Sequence, residues 1–136
     1  MAKDDGQRAP GDALVPGLHA RLWLVNEAGD NWVGIGRVQL LRAIEQTGSI
    51  RQAARQLGMS YKRAWSLVEA LNALGPEPMV VKEAGGRHGG GTVVTDYGRA
   101  TLELYARMEA HLKRCAEAIE RDIARWQRGE KGERHD

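Results

Sequence analysis

Arg51, Arg55, Lys62 and Arg63 lie in the stretch Ser49 to Ser66, which contains no carboxylate. Cations concentrated this way suit a polyanion. An Arg fork grips phosphate or the O6/N7 edge of guanine, and a Lys meets phosphate as a point charge. Lys62 and Arg63 fall in the first turn of a helical segment, where the helix dipole favours anions, so an external phosphate or base edge would resolve the conflict. Ser49, Ser60, Tyr61 and Ser66 add hydrogen-bonding groups to the same stretch. A second group follows in Gly85-Gly86-Arg87-His88-Gly89-Gly90-Gly91. Its glycines admit backbone amides close to phosphates, and Arg87 and His88 are candidates for an adjacent minor groove. The bland alternatives are a solvated cationic face and a hairpin tip without a partner.

Other chemistries lack a carrier. Gly85 to Thr92 resembles a phosphate-binding loop, but Gly91 stands where the lysine belongs and a strand-like run follows. Gly34-Ile35-Gly36 opens a dinucleotide fingerprint that Gln39 fails to complete. His19, His88, His111, His135 and Cys115 have no metal-ligand spacing, and no nucleophile–base or paired-carboxylate arrangement stands out. The expectation is no enzyme, no cofactor and no metal.

The elements that position these residues follow from periodicity and caps. Ala20–Val25 and Trp32–Val33, separated by the turn-rich Asn26–Asn31, predict a β-hairpin. A helix over Arg37–Thr47 carries Val38, Leu40, Leu41 and Ile44 and ends at Gly48. Ser49 and Gln52 fit a reciprocal capping box for a second helix that ends at Leu57. Gly58-Met59 makes a tight corner that calls for positive φ at Gly58 and small residues at the crossing, met by Ala53, Ala54 and Ala64. Ser60 caps a third helix with an apolar stripe of Ala64, Leu67, Val68, Leu71 and Leu74, stopped by Gly75-Pro76 and Pro78. Two β-like runs, Met79–Lys82 and Thr92–Thr95, flank the glycine-rich link. A long helix then runs to about Arg128, with Tyr105, Met108, Leu112, Cys115 and Ile119 on a coiled-coil seam. On that seam Cys115 reads as a small buried hydrophobe, and the four tryptophans read as packing residues.

The fold class expected is mostly α with small β: a winged helix-turn-helix with an N-terminal β-hairpin and a long C-terminal dimerisation helix. Its parts are a flexible tail over 1–17, the DNA-binding unit over 18–96, the dimerisation helix over 97–128 and a charged tail over 129–136. A chain of 136 residues suffices for one such domain, and its net charge of +2 shows that local, not bulk, charge matters. One cysteine, an N-terminus without an apolar leader, and no apolar run near the roughly 20 residues a bilayer requires point to the cytoplasm and away from membranes.

Thr47-Gly48-Ser49-Ile50, then Leu57-Gly58-Met59-Ser60-Tyr61-Lys62-Arg63-Ala64-Trp65, with Asn72, Leu74, the glycine-rich link and Val94-Thr95-Asp96-Tyr97-Gly98, resembles the N-terminal DNA-binding domain of the ModE family of molybdate-responsive regulators. A looser likeness connects it to LysR-type winged helices. The resemblance covers about Leu18 to Leu112. It implies a homodimer joined through the long helix and the N-terminal strands, regulating transcription from an inverted-repeat operator, with molybdenum-related genes as candidate targets. Family members continue into oxyanion-binding domains, which this chain is expected to lack, leaving the effector unknown. The alternative class is a protein-interaction module that docks through the winged helix and the long helix.

Overall fold

The computed structural model describes residues 7–9, 11–83 and 91–129. Strands Trp23–Val25 (β1) and Asn31–Gly34 (β2) pair antiparallel, with Trp23 opposite Gly34 and a register shift after Leu24. Asn26 closes the turn: its backbone carbonyl accepts from Gly29 N, and its side-chain oxygen accepts from Asp30 N. Its side-chain amide donates to Leu74 O at 3.0 Å, tying the hairpin to the end of a later helix.

The helices are Ile35–Thr47 (α1), Ile50–Leu57 (α2), Tyr61–Leu74 (α3) and Asp96–Gln127 (α4), with the strands Val80–Lys82 (β3) and Thr92–Val94 (β4) between α3 and α4. α1 starts two residues earlier than its periodicity suggests, because Ile35 is buried and the helix follows directly from β2. Val38, Leu40, Leu41 and Ile44 of α1 lie at the centre of a core completed by Val68, Leu71, Met79 and Val94. The architecture is a winged helix-turn-helix, mostly α with two small hairpins and a long last helix.

Local chemistry sets the corners. Gly48 and Gly58 both adopt left-handed φ, 70° and 68°, and end α1 and α2. Ala53, Ala54 and Ala64 are buried where α2 and α3 approach. Ser49 Oγ accepts from Gln52 N as expected, but the reciprocal half of the capping box is replaced: Ser49 N donates to Thr47 Oγ1. Thr47 reaches it because its hydroxyl already turns back to donate to Ala43 O.

The stem of the wing is held from two sides. Asn72 Oδ1 accepts from Met79 N and Val80 N while Nδ2 donates to Val80 O, fixing β3 against α3. Thr92 N donates to Gly48 O, fixing β4 to the α1–α2 junction. Gly98, in the first turn of α4, packs so tightly that a β-carbon there would lie 2.6 Å from Met79 O.

At the root of α4, Tyr105 Oη donates to Leu22 O and accepts from Gln7 Nε2, both at 2.8 Å. Gln7 also accepts from Leu22 N, and Ala9 packs on the core. The segment expected as a tail therefore contributes at least these two residues to the fold. Arg42 and Glu109 form an ion pair at 2.8 Å across α1 and α4. Burial pushes the Tyr105 phenol pKa upward, with Gln7 opposing through its hydrogen bond.

Candidate nucleic-acid interface

The corner between α2 and α3 delivers the N-terminal turn of α3 to the surface. Ser60 caps it, its Oγ accepting from Arg63 N at 3.0 Å. Ala64, Val68 and Leu71 face the core, whereas Lys62, Arg63 and Ser66 lie off that stripe and are exposed. Among the described residues neither Lys62 nor Arg63 meets a carboxylate, so the cations that the helix dipole disfavours have no internal compensation. Arg55 is exposed on α2.

Two residues expected at the interface are engaged differently. The Arg51 guanidinium lies over the Tyr61 ring, 4.4 Å from its centroid. Tyr61 Oη accepts from Trp65 Nε1 at 2.7 Å. The sequence pattern gave Trp65 no part here, although Tyr61 and Trp65, four apart on a helix, are neighbours by period. Lys82, likewise unanticipated, places its ammonium 5.6 Å from the Trp65 ring centroid. Ser49 is occupied at the α2 N-terminus and is half-buried. Arg87 and His88 lie outside the described residues.

The seam residues divide. Tyr105 is fully buried within the chain and bonded to Leu22, so it is not a surface position. A heptad pattern identifies an apolar stripe but not which chain covers it. Met108 rests partly on the core, Leu112 is half-exposed, Cys115 is exposed and Ile119 is 41% exposed. The burial expected for Cys115 is thus not seen: it is exposed on α4. No described helix is long and apolar enough to cross a membrane. No described cluster of three or more His, Cys, Asp or Glu side chains has metal-holding geometry.

Residues 35–99, from the first residue of α1 to the first turn of α4, match the family described as bacterial regulatory helix-turn-helix protein, lysR family. The chain is 52% identical over 73 residues to the molybdenum transport protein ModE of Azotobacter vinelandii, covering 54% of this chain and 27% of that protein. It is 47% identical over 73 residues to the transcriptional regulator ModE of Haemophilus influenzae, 54% of this chain and 29% of the relative. Identity is 38% over 100 residues to the molybdenum-pterin-binding protein MopA of Rhodobacter capsulatus, 74% of this chain and 38% of the relative. The matched stretch thus spans well under half the length of each of these relatives.

Proposed function

We propose, from the match of residues 35–99 to the lysR-family regulatory helix-turn-helix and from the likeness of that stretch to ModE proteins, that the chain acts in the cytoplasm as a homodimeric, sequence-specific DNA-binding regulator of transcription. The carrying observation is the exposed pair Lys62 and Arg63 on the capped first turn of α3, which meets no carboxylate among the described residues. In the reading proposed, that turn enters the major groove. Arg63 pairs with a guanine edge, while Lys62, Arg51 and the hydroxyls of Ser60, Tyr61 and Ser66 contact phosphate or base edges, beside Ser49 at the head of α2.

The dimer rests on α4. Its 32 residues span about 48 Å, and its buried positions end at Tyr105. Past it, Met108 keeps only a partial contact with the core, and Leu112, Cys115 and Ile119 are half-exposed or exposed among the described residues, an apolar stripe that packing would stabilise. A second copy supplies the cover, and the twofold implies an inverted-repeat operator. The names of the relatives make molybdenum-related genes the first targets to examine.

Selection of bound sequences from a random duplex pool, followed by gel-shift titration at two salt concentrations, tests the reading. Symmetric sites whose affinity falls steeply with salt are expected. Absence of salt-sensitive DNA binding would overturn it in favour of docking on another protein.

A further inference from the structure

Four side chains from three elements meet on the flank of α3 that faces β3. Tyr61 and Trp65 stand one turn apart on α3, joined by the 2.7 Å bond from Trp65 Nε1 to Tyr61 Oη. Arg51 reaches over the Tyr61 ring from α2, and Lys82 lies over the Trp65 ring from β3. Both distances fall within the roughly 6 Å over which a ring face attracts a cation. The arrangement is open: Arg51 and Lys82 are exposed, and both rings are half-exposed. Trp65 also packs partly against the core, so one edge of its ring is anchored while a face is turned to Lys82.

We propose that Trp65 and Lys82 belong to the DNA interface, with Tyr61 and Trp65 acting as a paired aromatic seat that positions Arg51 and Lys82 for phosphate beside the reading turn of α3. This rests on the DNA-binding reading above. The physical basis is pre-organisation. A ring holds a cation by its face and leaves the N–H groups at the rim free, so a phosphate can take them without displacing the seat. Long side chains already held in place lose less rotamer freedom on binding. The indole has only a donor, so its bond to Oη has a fixed polarity and leaves the Tyr61 hydroxyl proton free to donate outward. Tyr61 is therefore a positioning residue for Arg51, and Trp65 one for Lys82. The seat also explains how β3 and α2, separated by α3, contribute cations to one surface.

The test is a pair of double-substitution cycles in the full chain, read as affinity for the selected duplex and as its salt slope. Arg51→Gln and Lys82→Met should each lower the salt slope by about one. Measured against Tyr61→Phe, which removes only the outward hydroxyl, Tyr61→Met should weaken binding about two- to fivefold with Arg51 present and have little further effect in the Arg51→Gln background. Trp65→Met should behave the same way with Lys82→Met. Tyr61→Phe and Trp65→Phe, which keep a ring face, should retain most of the affinity. Equal weakening by the methionine variants in both backgrounds would overturn the seat, because a merely structural role does not depend on the cation. The exposed cation variants do not depend on the aromatic ones folding, so an unchanged slope in both overturns the proposal on its own. If wild type shows no salt-sensitive binding, the DNA reading itself fails; if wild type binds and the cycles are additive, only the seat fails.

Discussion

Lys62 and Arg63 are adjacent and both exposed, yet their side-chain chemistry separates them. A guanidinium fork discriminates between bases, whereas an ammonium adds charge with little directional preference. Arg63→Ala should therefore cost about 1–3 kcal/mol of binding and relax preference at one base pair. Site selection with the variant checks this, and an unchanged consensus at unchanged affinity would remove the base-reading role. Gly98 poses a question of sign. Alanine is favoured over glycine inside a helix by roughly 1 kcal/mol. A β-carbon here, however, would meet Met79 O at 2.6 Å and Val94 Cγ1 at 2.7 Å. Overpacking should win, so Gly98→Ala is expected to lower stability by about 1–3 kcal/mol in thermal unfolding. Tyr105 gives the alkaline counterpart. Its phenol ionises at a raised pH in the folded state, chiefly because it is buried, and its proton is the donor to Leu22 O. The neutral phenol is thus favoured by folding. Its contribution is complete below the unfolded value of 10.0 and is lost as pH rises through the raised folded value. Tyr105→Phe should cost about 1 kcal/mol at neutral pH through the orphaned carbonyl, yet flatten the decline measured by urea unfolding as pH rises above 10.0. Parallel curves for the two proteins would exclude Tyr105 as the titrating group.

One side chain of α3 ties down the entry to β3, whose other edge pairs with β4. Asn72 satisfies both amides and one carbonyl at the entry to β3, where no ladder partner is available from the helix side. Asn72→Leu should therefore cost about 1–3 kcal/mol and release β3 before the helices unfold. Hydrogen exchange at Met79 and Val80 is the measurement, and protection unchanged from wild type would show that pairing with β4 suffices. Asn72 fits the family resemblance, but its hydrogen-bonding role was not legible along the chain. What was legible is local. Gly58 shows its corner because the left-handed φ is a property of one residue, and Ser60 shows its cap because the acceptor and amide are three residues apart. The alanines at the helix crossing follow from the same short-range geometry. The contacts that were missed join distant residues. Gln7 and Tyr105 are 98 positions apart, and no periodicity relates them. Arg42 and Glu109 pair across 67 positions. At the interface, the Tyr61–Trp65 neighbourhood is implicit in helical spacing, but the cations that occupy it come from α2 and β3, so only the tertiary arrangement brings Arg51 and Lys82 to the rings.

At the scale of the whole molecule, the decisive fact is that α4 serves two environments. Its first turns are an internal element, with Gly98, Thr101, Leu102 and Tyr105 buried and Glu109 paired to Arg42. Beyond them the apolar positions run from half-exposed at Met108 and Leu112 to exposed at Ile119 and Trp126, the last at 76%. A rigid helix anchored this firmly transmits the geometry of whatever covers its distal half to the helix-turn-helix at its base. If that cover is a second copy, the twofold fixes both the separation and the mutual orientation of the two α3 helices. Recognition helices in successive major grooves on one face of the duplex stand roughly 34 Å apart, a spacing of one helical turn. Leu112 is the residue to challenge, because it is half-exposed on the proposed seam and lies past the internal contacts of α4. Leu112→Glu would place two like charges on facing helices while leaving the protomer core untouched. Sedimentation should show a shift to monomer with unchanged helicity. Binding to a full inverted repeat should fall toward the affinity for a single half-site, because the second half-site would no longer be reached through a linked partner. A dimer retained in full would move the contact to the N-terminal hairpin, where Trp23 and Val25 are about half-exposed on β1. In that arrangement a Trp23→Glu variant, rather than Leu112→Glu, would lose the preference for paired half-sites.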